Sequence, residues 1–156
     1  MATTATEATT ATAELIIRGI ALEDAAPVAE LSTQLGYPST EADVTRRLGA
    51  MLPLEGDHTI LVASLGGEVV GWGESAVCRH VQSEPYALLT GLVIRDGVRS
   101  GGVGRRLCEA IEAWARSRGV GRMVVTSRSV RERAHRFYLR GGYTEVKMSK
   151  VFEKAL

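Results

Sequence analysis

The chain has 156 residues, 45% of them hydrophobic and 24% charged, with a net charge of +1. At this length one core buries about 70% of the surface exposed by the unfolded chain, so a single domain needs neither metal nor disulfide staples. The composition excludes a disordered chain, and no run approaches the roughly eighteen apolar residues of a membrane span.

The opening MATTATEATTATA lacks the basic start and apolar middle of a secretion signal and the arginines of a transit peptide. We expect residues 1–13 to be a disordered tail on a cytoplasmic protein, with residues 14–156 as the domain. Cys78 and Cys108 stand 30 positions apart with no partner at ligand spacing, which predicts two buried reduced thiols and no metal site. Charge is divided along the chain. Residues 1–94 carry four arginines against twelve acids, a balance of −8, whereas residues 95–140 carry twelve arginines against four acids, a balance of +8. A basic half attracts an anion and an acidic half a cation.

In chain order, Glu14 to Ile20 reads as a β-branched first strand. Residues 23–35 follow with apolar positions at helical spacing, stopped by Gly36 and Pro38. A second helix starts at Thr40, with Asp43 in the capping-box position and Val44, Leu48 and Leu52 on one stripe. His58 to Leu65 and Glu68 to Val77, joined by Gly66-Gly67, predict a hairpin. Tyr86 to Ile94 is more continuously apolar and reads as a central strand. Gly102 to Arg118 is the best helix, Met123 to Ser127 a short strand, Val130 to Tyr138 a further helix, and Tyr143 to Phe152 a closing strand or hairpin arm. The order β-α-α-β-β-β-α-β-α-β predicts an α/β fold, with helices flanking a mixed, mostly antiparallel central sheet.

The turn between central strand and best helix carries Gly101, Gly102 and Gly104, flanked by Arg99 and Arg105. Glycines admit a bulky group close to the backbone, and the unpaired amides of a helix start favour an anion, most naturally a pyrophosphate. Two other phosphate motifs are excluded. A Walker loop needs Lys then Ser or Thr where Arg105-Arg106 stand, and the dinucleotide fingerprint needs a glycine where Leu107 sits.

Arg99, Gly102 and Gly104, followed by a helix ending in Trp114-Ala-Arg-Ser-Arg-Gly119, resemble the acyl-CoA-binding core of the GNAT superfamily of N-acetyltransferases. Ala134-His-Arg-Phe-Tyr-Leu-Arg-Gly-Gly-Tyr143 is similar to the same family's C-terminal helix. The resemblance implies that backbone groups of Leu92, Val93 and Ile94 pair with the pantetheine arm of acetyl-CoA. It also implies that amides from Ser100 through Gly101, Gly102, Val103, Gly104 and Arg105 cradle the pyrophosphate beside Arg99. Tyr138 matches the family's general acid, and a phenol, with its ordinary pKa near 10, can protonate a departing thiolate.

Two departures stand out. Where some members place a carboxylate on the central strand, this chain has Thr90 and Gly91, so Glu74 and Glu84 are the nearest general bases, and His80 and His135 are weaker ones. The asparagine often found after the short strand is missing, and Ser127 or Ser129 is available in its place. The acceptor, a small-molecule or peptide amine, should enter between the loop at Gly36-Tyr37-Pro38 and the turn from Arg79 to Pro85, with Tyr37 and Thr90 against it. The expected co-substrate is acetyl-CoA, with no metal, no nucleic acid and no membrane, and a homodimer is left open. The competing readings are a catalytically silent CoA-binding module and an arginine-rich nucleic-acid surface. Only 5% aromatic residues and the acidic first half argue against the latter.

Overall fold

The computed structural model describes residues 12–54, 56–98 and 101–156. The expected tail falls almost wholly outside them. The chain divides between Val125 and Thr126 into two units.

The first unit holds the sheet. Strands β1 (Leu15–Gly19), β2 (His58–Leu65), β3 (Glu68–His80), β4 (Ser83–Ile94) and β5 (Met123–Val125) lie side by side in chain order. The first four are antiparallel, and β4 pairs with β5 in parallel, because helix α3 (Val103–Ser117) carries the chain back between them. The sheet is therefore mixed and mostly antiparallel, as its order of elements predicts.

Alternation along β3 decides which helices pack where. Trp72 joins the cluster formed by Val28, Leu31, Val44 and Leu48, which belong to α1 (Ala25–Leu35) and α2 (Glu41–Met51). Its neighbour Gly73 faces the other way, where a Cβ would stand 2.5 Å from Ile111 Cδ1 on α3. Helices α1 and α2 thus cover one face of the sheet and α3 the other. Leu107 and Ile111 of α3 are wholly buried, each stabilising the fold by roughly 1.5–3 kcal/mol through loss of apolar surface.

Local chemistry fixes the helix ends. The Thr40 hydroxyl accepts from the Asp43 amide (3.1 Å) while the Asp43 carboxylate accepts from the Thr40 amide (3.0 Å), the reciprocal cap expected from the sequence. Gly36 ends α1 at φ +108°, a left-handed conformation in which the Tyr37 amide reaches back to the Ser32 carbonyl (2.9 Å). Before α1, the single helical turn Leu22–Asp24 is tied to β1 by a two-pronged ion pair, Arg18 Nη1 and Nη2 donating to Asp24 at 2.7 and 2.8 Å. Asp24 is buried and also accepts from the Ala21 amide. The Arg18 guanidinium beside it holds its carboxyl below the usual carboxylate range.

The second unit contains α4 (Glu132–Arg140), closed at Gly142 by the Tyr143 amide bonding the Tyr138 carbonyl (3.0 Å). The closing strand expected over 143–152 does not form. A strand needs a ladder partner, and this stretch has none among the described residues; Val146 and Met148 are each 83% exposed. Neither cysteine is in a disulfide; Cys108 is buried and Cys78 only partly so.

Candidate active site

The site is organised by an irregularity in β4. Glu74 pairs with Gly91 and the next residue of β3, Ser75, pairs with Leu89, so Thr90 is an extra residue without a partner across the ladder. The bulge is held from both sides: the buried Ser75 hydroxyl donates to the Leu88 carbonyl (2.9 Å), and the Thr90 hydroxyl donates to the Glu74 carbonyl (3.2 Å). On its other flank β4 pairs with β5 only from Ala87 to Leu89. From Thr90 to Val93 that flank has no strand partner among the described residues. An extended ligand can add there as a strand would. The open span ends at Gln34 of α1, whose side-chain amide donates to the Ile94 carbonyl (2.8 Å) and accepts from the Asp96 amide (3.1 Å).

Beyond this edge the chain enters the glycine turn. Arg99 and Ser100 lie outside the described residues. Gly102 stands just before α3 at φ +71°, and among the described residues, its chain neighbours aside, no atom lies within 4 Å of where its Cβ would be. Val103 and Gly104 are buried in the first turn, whose amides have no carbonyl of an earlier turn to bond. Arg105 donates through Nε to Glu109 (2.8 Å) and is otherwise exposed.

On the α1 and α2 face, a cavity of about 280 Å³ opens beside the bulge. Tyr37, Glu74 and Thr90, three residues singled out in the sequence, line it together with Trp72, Arg47 and Met51. Tyr37 reaches it because Gly36 turns the chain at the end of α1. Glu84 is exposed near the start of β4 and is absent from the lining, as is the rest of the turn from Arg79 to Pro85. His80 stacks on Tyr86 there, at 5.5 Å between ring centres. Glu74 accepts a hydrogen bond from His58 Nε2 (2.9 Å), with His58 at the start of β2. Neither His58 nor Gln34 carries a local sequence signal. The first meets Glu74 diagonally across the β2–β3 register, and the second is bound by backbone atoms 60 and 62 residues away.

In the second unit, Tyr138 packs edge-on between Phe137 and Tyr143, with ring centres 5.3 and 5.5 Å apart. The His135 ring bonds the Arg128 carbonyl (2.9 Å), and Ser127 is exposed. Among the described residues no group of three or more His, Cys, Asp or Glu is placed to hold a metal, and no helix is long and apolar enough to cross a membrane.

The sequence profile of the acetyltransferase (GNAT) family matches residues 26–143. The chain belongs to the GNAT family. An aminoglycoside N(6')-acetyltransferase type 1 from Stenotrophomonas maltophilia is 28% identical over 145 residues, covering 90% of this chain and 93% of that protein. Among solved structures, aminoglycoside N-acetyltransferase AAC(6')-Iy in complex with CoA has the same fold, with a TM-score of 0.82 at 18% identity, covering 95% of this chain and 99% of that one. Glucosamine-6-phosphate N-acetyltransferase from Arabidopsis thaliana also shares it, with a TM-score of 0.73 at 20% identity over 90% and 99% of the two chains. The GNAT assignment makes this protein an acetyltransferase with acetyl-CoA as its co-substrate. The open backbone edge of β4 and the glycine-led start of α3 suit the two parts of that donor, an amide-rich arm and a diphosphate.

Proposed function

We propose that the protein acetylates a primary amine of a small cationic molecule, an amino sugar of the aminoglycoside type, by direct attack on acetyl-CoA in a ternary complex. The observation that carries this reading is the cavity that puts Glu74, Tyr37 and Thr90 beside the β4 bulge. Its volume lies at the small end of ligand pockets, which favours a small molecule over a peptide. Its carboxylate favours a cation, and the Stenotrophomonas maltophilia relative is named for an aminoglycoside.

In this reading Glu74 takes a proton from the acceptor ammonium, and the freed amine attacks the thioester carbonyl. A β4 amide in the span Leu92 to Ile94 donates to the oxyanion that develops. The tetrahedral intermediate then breaks its carbon–sulfur bond, and Tyr138 gives its phenolic proton to the leaving thiolate. That role for Tyr138 is supported by its place in the motif from Ala134 to Tyr143. The pyrophosphate would lie on the amides from Ser100 to Arg105 with Arg99 alongside, and Ser127 would supply a hydroxyl to the donor. Because the bond changes are complete without a covalent enzyme intermediate, neither cysteine has a part.

We read residues 14–156 as one working domain, since the family match runs across the division at Val125. The cytoplasm is its proposed compartment, where acetyl-CoA is made and thiols stay reduced. A second copy is the proposed partner for the stretch after α4, where Val146, Met148, Val151 and Phe152 are all exposed.

The test is a panel of amines, with aminoglycosides, small diamines and peptides, assayed for acetyl-CoA-dependent release of thiol. Saturable release with cationic amino sugars is expected. Acetyl-CoA binding without turnover across the panel would instead favour the silent CoA-binding module.

A further inference from the structure

We infer that His58 is a positioning residue for the acceptor's proton transfer, holding the Glu74 carboxylate aimed into the cavity. The inference rests on the acetyl-transfer reading above, with Glu74 as the base.

The contact is specific in chemistry. His58 Nε2 and Glu74 Oε1 are 2.9 Å apart, and both side chains are largely buried, 18% and 25% exposed. A carboxylate oxygen at that distance faces a lone pair unless Nε2 carries the hydrogen, so the imidazole donates to Glu74 in either of its charge states. Donation to the carboxylate confines the Glu74 side chain to one orientation. Glu74 Oε2 has no partner among the described residues, so one oxygen is committed to His58 and the other is left for an ammonium.

Position supports the assignment. His58 and Ile60 point to the same face of β2, and Ile60 is both paired with Glu74 and part of the cavity wall. The remaining charged groups nearby are already engaged. Asp57, next to His58, is bound by Arg79 (3.2 Å), and Arg47 of α2, also lining the cavity, donates to the Ser39 hydroxyl (3.0 Å). Tyr37 is the other titratable side chain on the cavity wall. Of all these groups His58 alone bonds the Glu74 side chain among the described residues.

The experiment compares His58→Ala, His58→Gln, Glu74→Gln and the double variant His58→Ala/Glu74→Gln on an amino-sugar acceptor, with kcat and KM measured for both substrates. His58→Ala should lower kcat/KM for the acceptor roughly tenfold and leave KM for acetyl-CoA unchanged, the size expected from losing one charge-assisted hydrogen bond. His58→Gln, whose amide can donate from a similar place, should restore most of that loss. On the Glu74→Gln background His58→Ala should add nothing further. Multiplicative losses in the double variant, or a Gln variant as impaired as Ala, would overturn the inference. Should His58→Ala not fold, His58→Met against His58→Gln makes the same comparison with the volume kept. A wild-type enzyme that releases no thiol with any amine overturns the acetyl-transfer reading and this inference with it, whereas an active enzyme insensitive to His58 overturns this inference alone.

Discussion

The indole of Trp72 stands where a side chain on Gly91 would begin, since a Cβ there would lie 2.6 Å from both Cζ3 and Cη2 of the ring. Trp72 is itself 9% exposed, packed among Val28, Leu31 and Val62 under α1 and α2, so the ring has little room to yield. A carboxylate at position 91 is therefore sterically excluded in this chain. Its neighbour across the ladder, Glu74, is the acid that faces the cavity.

Gly91→Ala should accordingly overpack this wall and destabilise the fold by about 1–3 kcal/mol. At about 2–4 °C per kcal/mol for a chain of this size, thermal unfolding should move down by several degrees. An unchanged melting temperature would mean that the ring relocates freely.

Gly102 offers a different kind of test. Among the described residues, its chain neighbours aside, no atom lies within 4 Å of its Cβ position, so an added side chain there would meet a ligand on the turn. Its φ of +71° strains valine by about 1–2 kcal/mol but suits asparagine. Gly102→Asn should keep near-native stability and still weaken CoA binding in calorimetry, while Gly102→Val should lose both. Native CoA affinity in the asparagine variant would remove this turn from the phosphate site.

For Tyr138→Phe the expected result is a fall in kcat of about 10²–10⁴-fold, the usual contribution of a positioned acid, with acetyl-CoA affinity little changed. Phenylalanine keeps the ring between Phe137 and Tyr143, so the helix should be intact by circular dichroism. An unaltered rate would take the phenol out of the mechanism.

Asp24 sets an acid limit on stability. Its carboxyl is held below the ordinary value of 3.8 first by the hydrogen bonds from Arg18, with burial opposing and the Ala21 amide assisting. A depressed carboxyl contributes its stabilisation fully above the unfolded value and loses it as pH falls through the folded one. Stability should hold from neutrality to about pH 4 and drop below it. Asp24→Asn should flatten that limb and cost about 1–3 kcal/mol at neutral pH, read by denaturant titration at several pH values.

The parts of the fold that were legible in the sequence are those set by near neighbours. The Thr40 and Asp43 cap, the Gly66-Gly67 hairpin and the apolar stripe of α3 each involve residues a few positions apart, and each forms as expected. What register or tertiary pairing decides was not legible. Nothing local marks Thr90 as a bulge, joins His58 to Glu74 or sends the Gln34 amide to the end of β4. The closing strand expected over Tyr143 to Phe152 depends on a ladder partner that no local sequence supplies, and no partner strand is present among the described residues. Tyr37 and Thr90, the two residues expected against the acceptor, both line the cavity beside the bulge.

The short ladder between β4 and β5 has a consequence for how this enzyme can vary. If the donor is read along Leu92 to Ile94 by main-chain groups, the identity of those side chains answers to the protein interior and not to the reaction. Saturation mutagenesis across the span should then find catalysis tolerant of any apolar replacement that preserves packing, and intolerant of proline, which erases an amide hydrogen without changing polarity.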